Sequence, residues 1–428
     1  MSVQTGWSDI TMNSLYRNAL AVIAIAVFYT NIHEYMHDAY HVGVPWHWVL
    51  AFVILSLPLL FRQVMTSDIL RLPIVAWCFG YAWVTMVWFI MGSQSEMAWQ
   101  EVRWRVLAIF EILSFLAIFM DARATMFARL TLVVAVHVGV VINVYELFVP
   151  MSFSNVSGRS AGLYVNANLS GEALVLGMIL GITALPTWYR GVFILLAGTG
   201  VFLTYSRGGL IGWLIAVGGL MLGGFVGVRH VVRTGLIALF IFGVVLLPKA
   251  DQILTILERV GSLNPDTQER LAWLIDPLGV EDVSSGARKS IAREAWERVA
   301  EQPFFGGGTG AVHKGLAIPP HNLFLSHMID HGLLGAILLP LLMLALIWRA
   351  KGDSRRVAVI FSCAVLWFGF FTHQILNHAH SLLLLALVAA LASIPVRPTD
   401  PANLGRLTAN ADSGSSHKSL GAFPAMTP

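Results

Sequence analysis

VFILLAGTGVFLTYSRGGLIGWLIAVGGLMLGG (192–224) consists of two apolar runs separated only by Thr204-Tyr-Ser-Arg-Gly-Gly209. Runs of this length and composition read as helices of a membrane protein, and TYSRGG is either the turn between two spans or a kink in one long hairpin. Working outward, comparable apolar windows occur at 15–32, 46–61, 72–91, 104–120, 125–149, 168–186, 190–204, 208–227, 232–248, 322–348, 355–376 and 379–396. The expected fold is therefore an all-α integral membrane protein with about 12 transmembrane helices. Composition agrees, since 57% of the 428 residues are hydrophobic and 12% charged. No soluble domain of this size needs that balance.

The first window has only Arg17 before it and no small-residue cleavage site after it, which reads as an uncleaved anchor. Cys78 and Cys363 both fall inside windows and are expected to pack, so they carry no information on redox compartment. The net charge of +3 comes without an interleaved basic and aromatic patch, so nucleic acid is not an expected partner.

Charge then orients the chain. With the N-terminus inside, the inward turns carry Arg62, Arg71, Arg123, Arg129, Arg190, Arg229, Arg233, Arg349, Lys351, Arg355 and Arg356, whereas the short outward connections carry only Arg103, Arg105, Arg159 and Arg207. The positive-inside rule selects this orientation and places both termini in the cytoplasm. The expected organisation is nine membrane helices over 1–248, an external loop over 249–320 with short helices covering a site, three further membrane helices over 321–396, and a disordered cytoplasmic tail over 397–428. Within the loop, "DQILTILERV" and "ARKSIAREAWERVAEQ" have helical periodicity, Ser284 or Ser285 is available as a cap, and "FFGGGTG" and "IPPHN" break the chain.

The outward arginines run against the rest of the pattern. A charge at a membrane edge faces a cavity or partner, or else snorkels to the headgroups. Snorkelling is the simpler reading for Arg103 and Arg105, beside Glu101 on an expected loop. Arg207, flanked by small residues, suits a ligand better. At 100° per residue, Ile291, Ala292, Ala295, Trp296 and Val299 cluster within roughly 80° of Arg288, while the other charges of that helix lie opposite. Arg288 is expected to point inward, to a ligand or to an acid such as Asp276 or Asp282.

Converging guanidinium groups suit phosphate, and a leaving diphosphate needs charge stabilisation from fixed cations or metal. No carboxylate cluster with metal spacing is evident in the loop, which favours fixed cations. His321 opens a helix in "PPHNLFL", where the positive helix end favours the neutral imidazole a general base requires; the alternative is that His321 or Asn322 caps the helix. His313 is a second candidate for that role. His33-Glu-Tyr-Met-His37 matches the H-E-x-x-H zinc pattern, with Asp38 and His41 as conceivable further ligands, but it sits in a histidine-rich loop end without a later acidic ligand. His373, His378 and His380 lie on the same outer side, either lining a site or occupying the last outward turn.

"GRSAGLYVNAN" (158–168), "TYSRGG" (204–209), "ARKSIAREAW" (287–296) with "QPFFGGGTG" (302–310), and "PPHNLFLSHMIDHGLLG" (319–335) resemble, in that order, the O-antigen ligase and polymerase superfamily. The resemblance implies a GT-C-like, inverting, metal-independent glycosyltransferase of the bacterial inner membrane that needs no cofactor. Its donor would be an undecaprenyl diphosphate-linked glycan at the periplasmic face, and in the ligases the acceptor is lipid A core oligosaccharide. Arg159, Arg207 and Arg288 then correspond to diphosphate-binding arginines, with Arg288 also contributing to catalysis, and His321 to the histidine that activates the acceptor hydroxyl. Ala167 stands where the family commonly has proline, and two prolines precede His321. One large loop and a short tail favour ligase over polymerase by fold-level analogy. The alternatives from other classes are a glycolipid transporter, for which no inverted repeat is visible, and a zinc protease at His33 and His37.

Overall fold

Two helices, α7 (Ala167–Gly181) and α17 (Ala379–Ser393), form the interior around which the others pack. Both are largely apolar with no dominant polar face, the pattern of a helix surrounded by protein. Almost every residue of each is buried. The structure is a computed structural model that describes residues 12–241, 243–244, 247–276, 283–314 and 318–394. Among the described residues it contains helices and turns but no strands. The tail expected over 397–428 lies outside them.

Around this centre lie α1 (Met12–Ala24), α2 (Ile32–Tyr40), α3 (Pro45–Met65), α4 (Pro73–Met91), α5 (Glu96–Phe119) and α6 (Ala122–Phe148). They are joined by α8 (Thr187–Leu203), α9 (Arg207–Leu222), α10 (Val228–Ile241), α15 (Leu333–Trp348) and α16 (Gly352–Phe368). α17 packs on α5, α7 and α16, whereas α7 packs on α6, α8, α9 and α16. The segment 249–320 contains α11 (Ala250–Val260), α12 (Pro265–Ile275) and α13 (Val283–Glu301). It is followed by α14 (Leu323–His331).

Each of the apolar windows contains a helix or helix pair, but they differ in length. α3, α4, α6 and Ala167–Ala184 are long and apolar enough to cross a bilayer, and Asn13–Tyr29 with Ile32–Tyr40, bent by 47°, is a fifth if the pair is one span. Thr187–Leu203, Arg207–Leu222, Leu333–Trp348 and Ala379–Ser393 are apolar but shorter. A 17-residue helix such as α8 reaches only ~25 Å. The shortening has local causes. Tyr205 adopts φ +48° and ends α8 before Ser206 starts α9. The window 322–348 breaks at Gly332, whose φ of 62° and ψ of −147° belong to glycine alone.

That break receives the "FFGGGTG" loop. Gly307 N and Gly308 N donate to Ile329 O (2.8 Å) and Asp330 O (3.0 Å), and Leu333 N donates to Pro303 O (2.8 Å). A Cβ on Gly332 would lie 2.4 Å from the Phe304 backbone, and one on Gly306 2.6 Å from that of Asp330. The glycines therefore permit backbone-to-backbone packing that fixes the end of α13 against α14.

Two expectations for the segment 249–320 change. α12 was not anticipated, although Asn264-Pro-Asp-Thr267 forms a capping box with proline at the helix start. α13 begins at Val283, ahead of both Ser284 and Ser285, so neither serine precedes the helix as a cap. Another correction concerns Arg105: it is within α5 and buried, donating to Asp330 Oδ2, to His331 Nε2 (2.8 Å) and to Glu101 Oε2 (3.3 Å). A helix continuing through Glu96–Phe119 turns it into the protein, where acids on two helices hold it. Arg103 remains exposed.

Candidate active site

Three helix N-termini meet at one open cleft of about 100 Å³. α7 brings Asn166, Asn168, Leu169 and Glu172; α9 brings Ser206, Arg207, Gly208 and Gly209; and His321 precedes the start of α14. Arg270 from α12 and Arg288 from α13 cover it, and Phe368, Phe371, Thr372, His373 and Gln374 close the remaining side.

The caps explain how these ends are built. Asn166 Oδ1 accepts from Asn168 N at 2.9 Å, Ser206 Oγ from Gly209 N at 3.2 Å, and Asn322 Oδ1 from Leu325 N at 3.1 Å. Each cap satisfies part of its first turn and leaves the positive end of the helix facing the cavity. Asn322 is thus the cap of α14, which leaves the His321 ring for the cleft. The glycines of TYSRGG serve packing as much as access. A Cβ on Gly171 of α7 would meet Thr204, Ser206 and Gly209 within 3.3–3.7 Å, so small residues let the two helix starts approach.

Of the three arginines that the resemblance assigns to the diphosphate, Arg207 and Arg288 line the cleft. Arg207 lies over the Trp273 ring, 4.8 Å from its centroid. Arg288 shares a face of α13 with the buried Ala295 and Val299, but it is itself exposed, not turned inward as helical geometry suggested. Trp296, grouped with that face by helical geometry, is instead exposed. Asp282, one of its expected acidic partners, lies outside the described residues.

Arg159 does not line the cleft; it stands behind it. Its Nε donates to Thr204 O (3.1 Å) and its second amino group to Asn168 Oδ1 (3.0 Å), tying the turn before Arg207 to the start of α7. Burial holds its pKa down to about 10, with Arg270 and Arg288 adding positive field and Asp266 opposing them. Arg270, which the sequence reading missed, lines the cleft while paired with Asp266 at 2.9 and 3.2 Å. Its signal was available in the capping box that starts α12.

His321 is beside Arg288, and its pKa is lowered by burial first and by that guanidinium second. The imidazole is therefore neutral near pH 7, as a proton acceptor must be. His373 also lines the cleft rather than merely occupying the last turn, with its ring centroid 5.5 Å from that of His321. Glu172 contributes a buried carboxylate, 3.4 Å from Ser381 Oγ. A lone acid inside an apolar window was its signal.

Other sequence candidates lie elsewhere. His313 donates to Glu101 Oε1 at 2.8 Å and lines a neighbouring cavity with His327 and Asp330. The HEYMH histidines diverge: His33 is buried, with Nδ1 3.3 Å from Val27 O and its ring on Phe28, while His37 Nδ1 is 2.6 Å from Gly43 O. Glu34 is 3.8 Å from His378, which stacks on His380. Among the described residues no three histidine, cysteine or acidic side chains come together as a metal-binding group.

No curated protein matches the chain. Residues 192–340, a stretch that carries Arg207, Arg270, Arg288 and His321, match the family model described as O-Antigen ligase, so this part of the chain is similar to that family.

Proposed function

We propose that this protein is an O-antigen ligase that transfers a glycan from undecaprenyl diphosphate to lipid A core oligosaccharide at the periplasmic face of a bacterial inner membrane. The supporting observation is that Arg207, Arg270 and Arg288 surround a cavity at which three helix N-termini meet, with His321 beside them. Positive helix ends and guanidinium groups repel one another, so gathering them is useful where a multiply charged anion binds between them. A diphosphate bound there would lie within reach of the neutral imidazole.

In the reaction, an acceptor hydroxyl attacks the anomeric carbon, a new C–O bond forms, and the bond from that carbon to the diphosphate oxygen breaks. The hydroxyl proton passes to His321. The electron pair leaves with the diphosphate, whose added charge falls on the arginines and helix ends. Attack from the face opposite the leaving group inverts the anomeric configuration. Arg159 positions Arg207 and Asn168 without touching the donor. About twelve crossings, cytoplasmic termini and a periplasmic 249–320 segment form the corresponding topology, argued from the distribution of arginines.

Incubating purified protein in nanodiscs with an undecaprenyl diphosphate glycan tests this reading. Lipid A core is supplied in one arm and additional donor alone in the other. A ligase enlarges lipid A core; a polymerase lengthens the donor glycan. Absence of product in both arms, with folded protein, overturns the proposal.

A further inference from the structure

The cleft has two walls of different chemistry. One carries Arg207, Arg270 and Arg288; the other is the α16–α17 connection, which lies outside the 192–340 match. That second wall presents Phe371, Thr372, His373 and Gln374. It is rigidly registered to both functional elements. Trp367 Nε1 donates to Gly208 O at 2.9 Å, holding the wall to the Arg207 turn, and Leu323 N donates to Gly369 O at 2.8 Å, holding it to the helix that follows His321. The Phe324 and Phe370 rings pack with centroids 4.8 Å apart, and Phe371 lies against Gly208, where a Cβ would be 3.5 Å from its ring.

Its chemistry is neutral and mixed. Phe371 is 40% exposed and supplies a flat apolar face. Thr372 supplies a hydroxyl and His373 an imidazole whose buried Nδ1 makes no hydrogen bond. Gln374 engages His378 Nε2 through Oε1 at 2.9 Å, which orients its carboxamide and leaves the NH2 group to donate. A second phosphate would call for cations and an acyl chain for an unbroken apolar surface. A pyranose has an apolar C–H face and a rim of hydroxyls, which matches an aromatic ring flanked by neutral donors and acceptors.

We propose that Phe371, Thr372, His373 and Gln374 form a neutral-sugar subsite that holds the acceptor sugar, presenting its hydroxyl to His321. Its assignment to the acceptor rests on the transferase reading; its chemistry as a carbohydrate site does not. The acceptor is assigned to this wall because His373 adjoins the proton acceptor and the wall carries none of the arginines that suit the diphosphate.

Transfer kinetics with undecaprenyl diphosphate N-acetylglucosamine and lipid A core test the assignment in nanodisc-embedded protein. Phe371→Ala is expected to raise the acceptor KM about tenfold, the loss of one aromatic contact, while donor KM is unmoved. Phe371→Tyr should restore acceptor KM. If Phe371→Ala disturbs folding, Thr372→Ala/Gln374→Ala should still raise acceptor KM. An unmoved acceptor KM in both variants, or an equal rise in donor KM, overturns the assignment. A separate saturation-transfer NMR measurement uses lipid-free core oligosaccharide as the probe. Signal on the wild type that is lost in Thr372→Ala/Gln374→Ala supports the subsite even if no glycan is transferred; no wild-type signal overturns it.

Discussion

The two ends of α8 use arginine in opposite ways. Near its start, Arg190 donates to Leu185 O (3.0 Å) and Phe225 O (2.9 Å), Arg356 to Gly223 O (2.6 Å), and Arg129 to Leu180 O (3.3 Å). Those carbonyls lie at or just beyond the C-termini of α7 and α9, where unsatisfied acceptors and the negative helix end favour a cation. Beyond the other end of α8, the same two helices begin, and Arg207 occupies the first position of α9. Helix electrostatics oppose a cation there. Arginine at the first end meets helix carbonyls, whereas Arg207 at the second end stands against the helix field and lies over the Trp273 ring at the edge of the cleft, where the proposed diphosphate would bind.

This contrast is most directly broken by substitution in the cleft and at the start of α8. Removing His321 (His321→Ala) is expected to reduce glycan transfer by about 10²–10⁴-fold, the usual range for a general base. Arg288→Ala should reduce kcat/KM by about 10²–10³-fold through lost stabilisation of the leaving diphosphate. Neither change should move the thermal unfolding midpoint appreciably. Arg190→Ala should do the reverse, lowering stability by about 1.5–3 kcal/mol for charge-assisted hydrogen bonds while sparing kcat/KM of the folded fraction. If Arg190→Ala and Arg288→Ala give the same pattern in paired unfolding and transfer measurements, the distinction between arginines at the start of α8 and arginines of the cleft fails.

Much of the cleft was legible as pattern but not as arrangement. Arg207 stood out because it is one of four arginines that break the expected positive-inside pattern, and Arg288 because its helix carries its other charges on another face. Arg105 shows the limit of that reasoning: it shares the outward pattern, yet Asp330, 225 residues away in sequence, draws it into the interior. No local period contains such a partner. Arg159 likewise stood out by its charge but not by its depth, because Thr204 and Asn168 define its position through the fold. The apolar windows located the helices, while their lengths depended on backbone events at Tyr205 and Gly332 that hydropathy does not register. α12 is different, since its start was written locally in Asn264-Pro-Asp-Thr267.

The pH dependence sharpens the role assigned to the cleft arginines. His321 has its pKa below the ordinary 6.5 because burial and then Arg288 disfavour its charged form. Transfer by the neutral base should therefore rise with pH along an acidic limb centred below 6.5. Arg288→Gln should lower the plateau and move the limb upward, toward 6.5, as the positive neighbour is removed. A pH profile of kcat/KM checks both. An unmoved limb would separate Arg288 from the electrostatic environment of the base.

A smaller effect distinguishes this cleft from the neighbouring cavity. His313 has its pKa raised, chiefly by its hydrogen bond to Glu101, with burial opposing. A raised folded-state value means that the protonated form contributes stability fully below the unfolded value of 6.5 and that this contribution disappears as pH rises through the higher folded value. Its magnitude should be below about 1 kcal/mol for a partly exposed pair. Unfolding followed from pH 5.5 to 8.5 should reveal this decline, and His313→Gln should remove it while retaining a neutral hydrogen-bond donor. Transfer by the folded variant should stay near wild type, because Glu101 and His313 fasten the segment before α14 to α5 instead of contacting the donor. A loss of transfer as large as that of His321→Ala would instead place His313 among the reacting groups.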